Sequence, residues 1–302
     1  MNAFVTLLRR EWMQHQLGWL VALSVPFVLL LLAAIFGEMN FGSEDMPANF
    51  PAPMFGALMA INVIATLGLV IVSVLIQAPG LARRDQQDRS IEFWLSLPTP
   101  PWQSVAATLL AHLWLLPLVA VGVGIGGGFV LATLGVLREF GLAGLAQLQW
   151  GWMLLAALAL GLRLALGVVL ASLWVSGLLL LSMAACAWLK RWGVPVVVAA
   201  LAFGHLLVER LFGSDLVGQT LQRWAEGAQR AFLVADHGAA SLRQFEGADP
   251  THFGDLLPRV ANWLGGDMVG AVAASASPYF LASVLLGAAG FALLVRNRRW
   301  GR

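Results

Sequence analysis

Residues 55–78 read FGALMAINVIATLGLVIVSVLIQA, and residues 81–101 read LARRDQQDRSIEFWLSLPTPP. The first stretch is a continuous apolar run. At 1.5 Å per residue it is long enough to cross a hydrocarbon core of ~30 Å as a helix. The second carries Arg83, Arg84, Asp85, Asp88, Arg89 and Glu92 in a chain with only 11% charged residues. It is followed at once by another apolar run, residues 105–137. A charged segment between two spans must lie in water at the bilayer face. A helical hairpin needs only a few linking residues. This longer, patterned link is expected to have a task of its own.

Its pattern is that of a short helix. Asp88 or Ser90 can cap the start. Ile91, Trp94, Leu95 and Pro98 then recur at i, i+3, i+4 and i+7, and Pro98 ends the helix. Phe93 and Leu97 widen the apolar face. Such a helix can lie along the membrane surface or insert into a groove on a partner.

Composition points the same way for the whole chain. Of 302 residues, 59% are hydrophobic, and the mean hydropathy is +0.80. A soluble core cannot bury that share of apolar side chains. The runs are continuous rather than alternating, which excludes a β-barrel. The expected fold class is therefore an all-α polytopic membrane protein. Thirteen Trp against one Tyr suit a chain with many interface anchors. The single Cys186 lies inside an apolar run and excludes an intrachain disulfide.

The charged link also resembles a known family. RRDQQDRSIEFWLSLPTP is similar to the cytoplasmic coupling segment of ABC-2 type permeases, the membrane subunits of ATP-binding-cassette transporters. The nearest subgroup reads roughly E-R-R-D-R-S-I-L-F-W-K-S-L-P-V-S. The matching residues are Arg83, Arg84, Asp88, Arg89, Ser90, Ile91, Phe93, Trp94, Ser96, Leu97 and Pro98. Two departures are Thr99-Pro100-Pro101 in place of the usual continuation and Thr108 where the family tends to have Lys. The resemblance implies an ABC-2 (type V exporter-like) fold. It also implies that residues 83–103 form a cytoplasmic coupling segment on which a separate ATPase subunit docks, chiefly on 83–101. Arg84, Asp88, Arg89, Ser90, Ile91, Glu92, Phe93, Trp94, Leu97 and Pro98 are then the docking residues.

Elsewhere, Phe4, Leu7, Leu8 and Trp12 form a stripe, with Arg9, Arg10 and Glu11 on other faces. This predicts an amphipathic N-terminal helix on the cytoplasmic surface. Spans are expected at 17–36, 55–78, within 105–137, within 148–189, at 194–212 and at 271–295. The two long runs exceed the bilayer and must extend out of it or break. Gly122, Gly124 and Gly126 to Gly128 mark a break or close-packed kink in one, and Gly161 or Gly167 a break in the other. Six spans put both termini on one side.

With both termini cytoplasmic, the inner segments hold Arg9, Arg10, Arg83, Arg84, Arg89, Lys190, Arg191, Arg296, Arg298, Arg299 and Arg302. The outer loop before Phe55 has no Lys or Arg, and the loop at 135–149 has only Arg138. This asymmetry supports the orientation. It places residues 213–270, the one sizeable hydrophilic insert, outside the cell, between spans 5 and 6. Val217, Leu221, Trp224, Ala228 and Phe232 form one stripe there. Phe253, Leu256, Leu257, Val260 and Leu264 form a second, after an Asp249-Pro250 start signal. The two helices would cap the outer mouth or lie on the membrane.

Ionisable residues within spans are candidates for function. Arg163 lies about 39 Å along a straight helix from Leu189, so it is expected to snorkel at the outer interface. Glu209 and His205, at i−4, fall within the fifth span and can share a proton. They are either an internally satisfied pair or residues lining a path. His112 has no obvious partner. No G-x-x-x-x-G-K-[ST] loop, H-E-x-x-H or G-x-S-x-G motif occurs.

The chain is thus read as one transmembrane domain, residues 1–302, and not itself an enzyme. The resemblance implies the permease subunit of an exporter, multi-pass in the cell (inner) membrane and in contact with its lipid. It further implies a second permease copy, identical or paired, that completes the path, and a partner ATPase that holds ATP and Mg. No cofactor of its own and no nucleic-acid partner is expected. Two rivals are a coupled membrane component doing mechanical or regulatory work without flux, and an intramembrane enzyme built on His205 and Glu209.

Overall fold

The computed structural model describes residues 3–37, 50–84, 100–234 and 253–299, with the backbone alone at 253–259 and 261. The described residues are helical, without a strand. Helix α1 spans Ala3–Phe36 and α2 spans Pro51–Leu81. Helix α3, Pro101–Leu109, passes through a π-helical turn at Leu110–Leu115 into α4, Leu116–Gln147. Helix α5 is Trp150–Leu189, α6 is Gly193–Phe212 and α7 is Leu216–Phe232. The chain ends in α8, Phe253–Ala274, and α9, Pro278–Arg299.

Five stretches are long and apolar enough to cross a membrane: Ala3–Phe36, Pro51–Leu81, Pro101–Gln147, Trp150–Phe212 and Pro278–Arg299. The protein is a multi-pass helical membrane protein. The fourth stretch contains two helices, since Lys190 adopts φ +56° and turns α6 away from the line of α5.

The segment before the first apolar run is not a separate surface helix. Helix α1 is continuous from Ala3 to Phe36, and Arg10 and Glu11 are buried while Trp12 is exposed. The polar side of this segment faces inward because a cation from α2's end reaches it, as described below. At the other end of α1, Arg138 donates to the carbonyls of Ala34, Ile35 and Gly37. It thereby satisfies carbonyls left open at a helix C-terminus, and its charge suits the helix dipole.

Helices α2 and α4 run antiparallel in close contact. A Cβ on Gly124 would lie 3.0 Å from the Val63 backbone, and one on Gly128 would lie 2.9 Å from the Met59 carbonyl. Asn62 Nδ2 donates to the Gly124 carbonyl at 2.8 Å. These glycines therefore let two backbones approach, as small residues do between membrane helices. They do not break α4. The non-helical residue is Gly141, at φ +63°. Likewise α5 has no break at Gly161 or Gly167: Gly161 faces Ile125, and Gly167 faces Phe232 and the Ala231 carbonyl.

Helix α9 lies parallel to α5. Ser283 Oγ donates to the Trp174 carbonyl at 2.8 Å and accepts from Gly177 N at 3.1 Å. Gly287 faces Ser176, and Gly290 faces the Leu180 backbone. The last apolar helix starts at Pro278 rather than at 271, because Ser277 caps it through Phe280 N and Pro278 occupies its first turn.

Asp215 caps α7 by accepting from Gly218 N at 3.1 Å. The predicted stripe is the face α7 buries. Trp224 and Ala231 enter a core with Leu170, Trp174 and Ala271, and Leu221 and Ala228 pack against it. Trp224 Nε1 donates to the Tyr279 carbonyl at 2.9 Å. This helix is thus held against α5 and α9 rather than lying free on a surface.

Arg163 does not snorkel. It is 1% exposed, and its Nε donates to Asp267 Oδ2 at 2.6 Å. It also donates to the carbonyls of Ala231 and Arg230, while Asp267 Oδ1 accepts from Val234 N at 3.0 Å. Asp267, on α8, supplies the countercharge that the sequence of α5 lacks. A buried charge so paired and hydrogen-bonded no longer needs water.

Candidate functional site: a buried ionic clamp at the roots of residues 85–99

Helix α2 ends at Leu81 and α3 begins at Pro101. Between the described ends Arg84 and Pro100 lies the charged link. Asp88, Arg89, Ser90, Ile91, Glu92, Phe93, Trp94, Leu97 and Pro98 fall outside the described residues. Arg84 is described, and it is central to a buried polar cluster.

Arg84 meets Glu11 bidentately, Nη1 to Oε2 at 3.0 Å and Nη2 to Oε1 at 3.0 Å. Arg10 Nη2 also donates to Glu11 Oε1. Thr108 Oγ1, from α3, donates to the same oxygen at 2.9 Å. Arg10 Nη2 reaches Ser104 Oγ at 3.4 Å. Glu11 therefore receives four donor contacts from three segments, three on Oε1 and one on Oε2. Thr108 contributes a neutral donor, and the cations come from Arg10 and Arg84.

Glu11 precedes the apolar part of α1. The hydrogen bonds and charges of Arg84 and Arg10 favour its ionised form. The carboxylate is thus ionised, and each guanidinium has a partner that it cannot find in lipid.

A histidine layer sits beside this pair. Arg84 Nη1 lies 2.6 Å from His15 Nε2, so His15 accepts there and carries its hydrogen on Nδ1. His112 Nδ1 lies 3.0 Å from the Thr108 carbonyl, which can only accept, so Nδ1 is the protonated nitrogen. The two rings meet edge to face at 4.9 Å, and Trp19 covers His112 at 5.2 Å. His112 thus has one near partner, the Thr108 carbonyl at i−4, and two that are distant in sequence, His15 and Trp19.

Glu11, His15 and His112 are close enough to share a metal ion. Their chemistry would suit zinc. The arrangement does not: both Glu11 oxygens already accept from guanidinium groups, and Arg84 Nη1 contacts both Glu11 Oε2 and His15 Nε2, so a cation already holds the space between them. The cluster is an ion-pair network that ties α1, the end of α2 and the start of α3 together.

His205 and Glu209 lie on α6, 3.8 Å apart. His205 Nδ1 is nearer to Asp215 Oδ1, at 3.2 Å. Both side chains are substantially exposed on the protomer. The sequence marked Arg84 as a docking residue and Arg10-Glu11 as polar positions of a surface helix, and no local signal joined the two.

Comparison with protein-family models, curated proteins and solved structures finds no match to this chain.

Proposed function

We propose that the chain is the transmembrane permease subunit of an ABC-2 type transporter, an exporter of the cell (inner) membrane with six spans and both termini cytoplasmic. In this reading α6 is the fifth span, residues 213–270 are extracytoplasmic, and two permease copies line the path. A separate ATPase, carrying ATP and Mg, docks on residues 83–101. The reading starts from the likeness of residues 83–98 to the coupling segment of that family.

The observation that supports it is the clamp. On one flank of residues 85–99 Arg84 is held on Glu11, and on the other Ser104 and Thr108 are held on the Arg10–Glu11 pair. A push on an ordinary surface loop would be absorbed at its ends. Here a push would reach α1 and α3 through buried, charge-assisted contacts, which are the strong ones. That is what an energy-coupling segment requires.

The test is co-purification of the chain with an ATP-binding-cassette ATPase encoded beside its gene, followed by ATP-dependent flux in vesicles. Aromatic anchors in a docked helix carry much of an interface. Phe93→Ala with Trp94→Ala should weaken ATPase recovery by about tenfold, equivalent to ~1.4 kcal/mol. Expression and insertion should hold, since both residues lie outside the spans. Unchanged recovery together with unchanged flux would reject the docking role.

A further inference from the structure

At the end of α5 the chain reverses. Lys190 takes φ +56°, and a Cβ on Gly193 would lie 2.4 Å from the Cys186 backbone, so only glycine allows this contact. Helix α6 leaves from that point with no other residue buried. A groove of about 740 Å³ opens between α5, α6 and α9. That volume lies within the ~300–1,000 Å³ of small-molecule sites. Ala184, Trp188, Val197, Leu201 and Leu293 make its walls apolar, and Arg296 is the charged residue that lines it.

Among the described residues, the charge around this groove has one sign. Lys190 and Arg191 directly follow Leu189, which also lines it. Residues 181–208 and 278–299 contain no Asp or Glu. Among the described residues, no carboxylate lies within ion-pair distance of Lys190, Arg191 or Arg296. Trp188 and Trp192 flank the turn, and tryptophan favours headgroup depth.

We infer that this groove binds an anionic phospholipid, with an acyl chain along the α5–α6–α9 walls and the phosphate at Arg296 and the Lys190–Arg191 turn. Basic pockets between helices at headgroup depth suit such lipids. A second copy docked here about a two-fold axis would present the same face, setting cations against cations. The inference stands apart from the permease reading, because it concerns binding by this chain alone.

The test uses the full-length protein, lipid-depleted in detergent and titrated with dioleoyl phosphatidylglycerol, dioleoyl phosphatidylcholine or glycerol phosphate under native mass spectrometry. The wild type should bind phosphatidylglycerol about tenfold more tightly than phosphatidylcholine, and glycerol phosphate should not compete. Arg296→Gln should bring the two lipids to parity, Arg296→Lys should keep most of the preference, and Ala200→Trp should lower binding of both by filling the groove. Equal binding of the two lipids by the wild type would overturn the proposal, and that comparison decides even if a variant fails to fold. Full competition by glycerol phosphate would overturn it too. So would efficient disulfide cross-linking between copies through Val197→Cys in a Cys186→Ala background, since a second copy would then occupy the groove.

Discussion

Arg84 grips both carboxylate oxygens of Glu11 at 3.0 Å, across 73 residues of chain. Glu11 is fully buried and the Arg84 side chain is 15% exposed. The pair fixes where α2 ends relative to α1, immediately before the charged link. Removing Glu11 takes away the carboxylate that the Arg10 and Arg84 guanidinium groups share.

Glu11→Gln is therefore expected to destabilise the protein by about 3–5 kcal/mol, the usual cost of breaking a buried pair from one side. Arg84→Lys should not rescue the site, because an ammonium cannot reproduce the two-pronged contact. Thermal unfolding in detergent, followed by size-exclusion chromatography, measures both. A Glu11→Gln protein with wild-type stability would mean that the clamp carries no load.

Arg163 and Asp267 form an equivalent lock between α5 and α8. Arg163→Met and Asp267→Leu should each cost several kcal/mol, and the double variant should recover much of the loss, since no lone charge remains. A double-mutant cycle in unfolding free energy tests this. Strict additivity would show that the two side chains do not act as a pair.

Glycines in the same chain should respond in opposite ways. A Cβ at Gly290 would fall 2.8 Å from the Leu180 backbone, whereas one at Gly126 meets nothing within 4 Å. Gly290→Val should reduce the yield of folded protein sharply. Gly126→Ala should be neutral or stabilising by up to ~1 kcal/mol, the helix-propensity gain. Equal loss at both sites would argue against close α5–α9 packing.

Topology can be read with an impermeant thiol reagent in a Cys186→Ala background. Cysteine at Ser241 is expected to label from outside on intact cells, after any outer barrier is permeabilised. Cysteine at Ser90 is expected to label only once the membrane is opened. Labelling of Ser90 but not Ser241 on intact cells would invert the proposed orientation.

The membrane class, most apolar stretches and the buried stripe of α7 were legible in the sequence. Each depends on local quantities: hydropathy summed over a window, and helical spacing. The breaks were not legible. A glycine run carries one local signal for two outcomes, a kink or a close approach, and the neighbour decides between them. Gly124 and Gly128 had α2 beside them and stayed helical, whereas Gly141 took φ +63° with open space around it. Nor did the charges reveal their partners. Glu11 and Arg84 are 73 positions apart, and Arg163 and Asp267 are 104 apart. Hydropathy marks such residues as costly in a bilayer without saying what offsets the cost. Only the packing of α1 on α2 and α3, and of α8 on α5, supplied the countercharges that turn exposed-looking arginines into buried fixed points.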